Sequence, residues 1–127
     1  MPQNDTLTNQ KEIQTKITKS VLDLIILKLI DQQPMHGYQI ITKIRKTFNV
    51  HFGPSTIYPL LAQLEQKEQL TSTWNTTTEK PRKIFTITHT GKNILKIAET
   101  TVDNLYKTIH TIENNNTNNN TNNNTTQ

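Results

Sequence analysis

The chain has 127 residues, only 31% of them hydrophobic, with 14 Lys+Arg against 10 Asp+Glu for a net charge of +4, and no cysteine. That length allows one domain with a modest core, and the missing thiols exclude disulfides, thiolate metal sites and cysteine nucleophiles. The longest apolar run, Val21 to Ile30, is too short to span a bilayer and carries Asp23 and Lys28, so a soluble, cytoplasmic protein with no membrane partner is expected.

Residues 1–10 are polar and are expected to form a flexible N-terminus. A first helix is predicted over Lys11 to Asp31, where Ile13, Ile17, Val21 and Leu24 mark one stripe. From Val21 onward it is apolar nearly all round, so that half should be buried on several sides. "QQPMHG" (Gln32 to Gly37) breaks it, because Pro34 stops a helix. A second helix follows over Tyr38 to Phe48, with Ile40, Ile41, Ile44 and Phe48 inward and Lys43, Arg45 and Lys46 outward. No carboxylate occurs from Gln32 to Leu64.

The third helix contains Pro59, which fits a first turn best because its missing N–H would be unpaired there. That places the start near Ser55 or Thr56, one of which should act as N-cap. The helix ends near Lys67. Period-two patterning then takes over in "QLTSTWN" (Gln69 to Asn75) and "RKIFTIT" (Arg82 to Thr88), joined by "TTTEKP". These read as a β-hairpin with a basic tip, and Trp74 as a packing residue on its strand. Thr88 is the expected N-cap of a final helix reaching about Glu113. In it Leu95, Ala98, Val102, Leu105, Ile109 and Ile112 recur at heptad spacing. A seam of this kind on a terminal helix suits a homodimer interface. The last fourteen residues contain only Asn, Thr and Gln and read as a disordered tail.

The fold class is therefore mainly α with a small β-hairpin: a winged helix-turn-helix at 11–88, a C-terminal dimerisation helix at 89–113 and a tail at 114–127. In such an architecture the start of the third helix enters the major groove of DNA. Ser55, Thr56 and Tyr58 place hydroxyls there. Gln63 can reach a base edge, and Lys80, Arg82 and Lys83 on the wing suit phosphates. The competing reading of Tyr58 is a half-buried core tyrosine. His36, His51, His89 and His110 are scattered without partners at catalytic spacing. Neither a phosphate-cradling glycine loop nor a metal-ligand pattern occurs, so no enzyme, cofactor or metal is expected.

"LDLIILKLIDQQPMHGYQIITKI", "GPSTIYPLLAQLE" and "KPRKIFTITHTGK", in this order and followed by a long helix, resemble the PadR family of winged-helix transcriptional regulators. The resemblance covers roughly Val21 to Ala98 and fits the small subgroup with a single C-terminal helix. It implies a repressor and a dimer held by the first and last helices, which adds Ile13 and Ile17 to the seam. It also implies double-stranded DNA as partner, contacted by the Ser55–Tyr58 turn, by Tyr38 and Lys43 on the second helix, and by the wing. Release by a small apolar or aromatic effector near the dimer interface is implied too, where Tyr106 is the candidate pocket residue. Where the family usually has Gly followed by an apolar residue, this chain has Glu68-Gln69; Gly there would take the left-handed conformation that ends the third helix, so either Glu68 adopts that geometry at a cost or the helix ends differently. The alternative is a winged-helix protein-interaction module without specific DNA binding.

Overall fold

In the computed structural model, the backbone is described for residues 2–125 and the side chains for residues 5–112. The elements run α1 (Pro2–Ser20), α2 (Leu22–Gln32), β1 (Met35–His36), α3 (Gly37–Phe48), α4 (Pro54–Gln66), β2 (Leu70–Asn75), β3 (Arg82–Ile87) and α5 (His89–Thr125). Two compact units divide the chain, residues 1–95 and residues 96–127.

The helix predicted as one piece from Lys11 is two, and it starts earlier. No Gly or Pro lies between Gln3 and Gln33, so nothing stops helix growth from Pro2 through the stretch expected to be flexible. A turn nevertheless interrupts the helix at Val21 (φ −115°, ψ 20°). Just before it the Thr18 and Ser20 hydroxyls donate to the carbonyls of Gln14 and Ile17, both at 2.6 Å. Thr18 is buried, so its hydroxyl needs that carbonyl. Downstream, α2 is the hydrophobic centre: Leu22, Ile26, Leu27 and Ile30 are all buried.

The predicted break before α3 contains a strand. β1 pairs antiparallel with β3, Met35 opposite Phe85 and His36 opposite Ile84. The hairpin is thereby the larger part of a three-stranded sheet of order β1-β3-β2. Its inner face, Leu70 on β2 with Phe85 and Ile87 on β3, joins Ile40 and Ile44 of α3, Ile57 and Leu61 of α4, and Leu95. Leu95, placed by heptad spacing on the seam, is only 5% exposed and belongs to the core of its own chain.

Helix ends carry the remaining specification. Asn49 closes α3 in the left-handed region (φ 56°). Glu68 does the same after α4 (φ 61°), so of the two endings open at this position the chain takes the left-handed one despite lacking the family's glycine. The Gln69 N–H donates to the Leu64 carbonyl and the Glu68 N–H to that of Glu65, both at 2.9 Å. This double bond pattern is the Schellman motif. Thr88 caps α5 as predicted: its hydroxyl accepts the Gly91 N–H at 2.9 Å and donates to the Glu68 carbonyl at 2.6 Å. A side chain at Gly91 has no room, since a Cβ there would stand 2.1 Å from the Gln69 carbonyl oxygen.

In the second unit, α5 continues helical, with Lys107 paired to Asp103 at 2.9 Å. Val102, Leu105, Ile109 and Ile112 are exposed and Ala98 is half-buried. The side chains of the predicted tail at 114–127 lie outside the described residues.

Candidate nucleic-acid interface

The start of α4 differs from the expectation in a way that changes its chemistry. The helix begins at Pro54 and its N-cap is Gly53, without a side-chain cap bond. Ser55 and Thr56 are therefore inside the first turn and not needed for capping. Among the described residues, the hydroxyls of Ser55, Thr56 and Tyr58 have no hydrogen-bond partner. The N–H groups of Thr56 and Ile57 both donate to the Gly53 carbonyl, at 3.0 and 3.1 Å. Pro54 has no N–H, so Ser55 carries the free backbone donor of this turn. Pro59 lies inside the helix, not in its first turn, and leaves the Ser55 carbonyl without its usual donor four residues on. The Ser55 N–H is thus open on an exposed surface, and the positive end of the helix dipole adds to its affinity for an anion.

Beside this turn sits the start of α3. His36 and Gln39 form a reciprocal cap: the Gln39 N–H donates to His36 Nδ1 at 3.4 Å, and the His36 N–H to Gln39 Oε1 at 3.1 Å. Arg82 Nη1 lies 3.0 Å from the other ring nitrogen, Nε2. Guanidinium and backbone N–H can only donate, whereas a neutral imidazole has one acceptor nitrogen. The ring therefore serves these two donors alternately, and a protonated ring would serve neither. Partial burial, followed by the Arg82 charge, holds its pKa below the ordinary value.

Tyr58 from α4 covers the start of α3. A Cβ on Gly37 would come within 2.5 Å of the Tyr58 ring, so the ring rests on bare backbone. It is neither a core tyrosine nor fully solvated, at 47% exposure. Tyr38 (67%) and Trp74 (64%) are more exposed still. These three rings, with His36, Lys80, Pro81, Arg82 and Lys83, line a single open cleft of about 380 Å³.

Eight of the nine predicted contact residues fall into three places, and Ser55 lines none of them. Tyr38, Tyr58, Lys80, Arg82 and Lys83 share the cleft. Thr56 and Gln63 line a second groove, with Lys19, Ser20 and Pro59. Lys43 and Lys46 line a third, along α3, again with Tyr38. The basic residues are not equivalent. Lys83 is committed to Glu65, 3.2 Å away; the Ser72 hydroxyl and Lys83 both hold that carboxyl below the usual carboxylate range. Lys80 and Arg82 are exposed.

Three participants were not anticipated. Trp74, expected to pack in the core, stands beyond it on the cleft wall. His36 is the second; Gln39 three positions on is its capping-box signal, but its contact with Arg82 has no local signal. Asn75 shapes the wing turn, its Oδ1 accepting from both the N–H (3.1 Å) and the hydroxyl (2.6 Å) of Thr77, a habit of Asn at turns. In the second unit, Tyr106 is exposed and meets His110 edge-on at 4.6 Å.

The sequence profile of the transcriptional regulator PadR-like family matches residues 26–97, more than half of the chain. The chain belongs to the PadR-like family of transcriptional regulators. Among solved structures, a PadR-like transcription factor from Bacteroides fragilis is 26% identical, with 80% of this chain and 98% of that one covered and a TM-score of 0.68. A conserved protein described as a potential transcriptional factor is 33% identical over 72% of this chain and 83% of its own, with a TM-score of 0.64. A PadR family regulator from Eggerthella lenta shares the fold at a TM-score of 0.75, with 21% identity over 88% and 96% of the two chains. No curated protein matches the chain. The winged-helix fold and a role in transcription regulation follow from this membership. Among the described residues, no helix is long and apolar enough to cross a membrane.

Proposed function

We propose that this regulator is a sequence-specific DNA-binding repressor that works in the cytoplasm as a homodimer. The observation that carries the reading is convergence. Tyr58 of α4, the start of α3 and the basic wing meet on one side of the first unit, around a cleft lined by Lys80 and Arg82 and by no carboxylate. Ser55, Thr56, Tyr58 and Gln63 face the bases and nearby phosphates. Tyr38, Lys43, Lys80, Arg82 and Lys83 surround the backbone. Ile13 and Ile17 on α1, with Val102, Leu105, Ile109 and Ile112 on α5, are exposed apolar residues that suit a second copy, since single chains seldom leave so many uncovered. A small apolar or aromatic effector, bound between copies near Tyr106, would then shift the spacing of the two α4 starts and release DNA.

The test is a titration of the protein against a duplex carrying its own upstream region, at several salt concentrations. Specific binding weakens steeply with salt, because each phosphate contact releases condensed counterions. Binding that stays weak and flat across the series refutes the reading.

A further inference from the structure

The cleft holds a feature that neither the core nor base reading explains. Trp74 lies on the face of β2 that carries Leu70 and Ser72, one pleat beyond the last buried pair, with Lys83 directly opposite in register. Strand alternation aims the indole toward the helices, yet no core residue lies there to cover it, and it stays 64% exposed. Tyr38 and Tyr58 approach from the helix side. Three exposed rings facing cations, with no carboxylate among the lining residues, call for an occupant that is apolar on its faces and anionic at its edge.

The cleft also has a defined place between the reading elements. One wall is the start of α3 with Tyr58 of α4, and the other is the wing. On any B-form duplex, a helix start in the major groove and a hairpin tip in the neighbouring minor groove are separated by one sugar–phosphate strand. We propose that this cleft seats that strand, with the Trp74 indole lying against a deoxyribose. The Tyr38 and Tyr58 hydroxyls, Lys80 and Arg82 hold the adjoining phosphate. Arg82 keeps donors for it, since its guanidinium has five N–H groups and the His36 contact uses one. The volume, about 380 Å³, sits at the low end of the roughly 300–1,000 Å³ typical of small-ligand sites, the scale of a single nucleotide. Trp74 accordingly fixes how the duplex lies on the protein and carries no sequence information, as backbone contacts do.

This inference rests on the DNA-binding reading, and the experiment separates the two. Trp74 is the only tryptophan, so its emission reports on the cleft alone. The full-length protein is titrated with a mixed-sequence duplex of roughly 30 base pairs at about 50 mM salt, where non-specific binding is strong. Anisotropy of an end-labelled copy follows binding, while indole emission and acrylamide quenching follow the cleft. The expected result is an emission change on the same curve as the anisotropy, with quenching by acrylamide falling at least about twofold as stacked sugar shields the ring. Saturated anisotropy with unchanged emission and quenching overturns the inference and leaves DNA binding intact. No anisotropy change, with this duplex or with the upstream region, overturns the DNA-binding reading and the inference together. As a second measure, Trp74→Ala weakens the mixed-sequence and upstream duplexes equally, by about tenfold, equivalent to about 1.4 kcal/mol. A loss confined to the upstream duplex would make Trp74 a base reader and overturn the backbone seat.

Discussion

Replacing Glu68 with glycine should stabilise this protein. Glu68 occupies the left-handed region at φ 61°, one position past the C-cap Lys67. For an L-residue with a Cβ that conformation costs about 1–2 kcal/mol, and for glycine nothing. The Glu68 side chain is exposed, so no packing is lost. The bonds that need this geometry are all made by backbone atoms of the corner: Gln69 N–H to Leu64, Glu68 N–H to Glu65, and the Thr88 hydroxyl to the Glu68 carbonyl. They survive the substitution. Against the gain stands the greater freedom of glycine in the unfolded chain, about 0.4–1 kcal/mol. The net is about 0.5–1 kcal/mol in favour of Glu68→Gly, or roughly 3–6 °C in melting temperature for a domain of this size. Thermal unfolding followed by circular dichroism, at matched protein concentration because a dimer's melting point depends on it, measures the shift. Lys67→Gly is the control: Lys67 has φ −80°, so glycine there relieves nothing and should destabilise by about 0.5–1 kcal/mol. If Glu68→Gly melts at or below the parent, the left-handed corner is not where the strain lies.

Gly91→Ala puts a methyl group against the Gln69 carbonyl and Ile87, and should cost about 3 kcal/mol or more; chemical denaturation with a loss below about 1 kcal/mol would contradict that contact. Folded His36 resists protonation, whereas the unfolded chain takes the proton near the ordinary value of about 6.5. Stability should therefore fall as pH is lowered from about 7 through about 6. His36→Gln, which keeps an acceptor and cannot charge, should flatten that slope, and a slope unchanged in the variant would assign it elsewhere. Lys80→Ala and Arg82→Ala should each lower the salt dependence of DNA binding by roughly one phosphate contact and weaken all sequences alike; a sequence-selective loss would make them base readers. Leu105→Asp should give monomers by light scattering while the first unit stays folded. A dimer that persists would exclude the α5 seam as its interface.

Much of the fold was legible because burial follows period. Ile40, Ile41 and Ile44 on α3, and Ile57, Leu61 and Leu64 on α4, are the residues that helical spacing selects. Thr88 as a cap was readable from local chemistry, whereas the left-handed corner at Glu68 was suggested only by the resemblance, which has Gly there. What escaped was set by tertiary context. The α1–α2 break at Val21 has no Gly or Pro to announce it. β1 has two residues, too few to show alternation, and exists because β3 offers a free edge. Leu95 fits the heptad but meets the core first. Trp74 looks like any strand aromatic; only the register, which carries the inner face one pleat past the last helix residue able to cover it, exposes the ring. The cleft could not be read locally at all, since it joins residues from 36 to 83.

The contact between Gly37 and Tyr58 links two demands that proteins usually keep apart. A side chain at position 37 would have to push aside the Tyr58 ring, the half-exposed far end of a side chain that can turn outward. Turning outward would carry the phenol away from the cleft it lines. A substitution at position 37 therefore reaches the cleft wall through Tyr58, without altering any of the charged residues there.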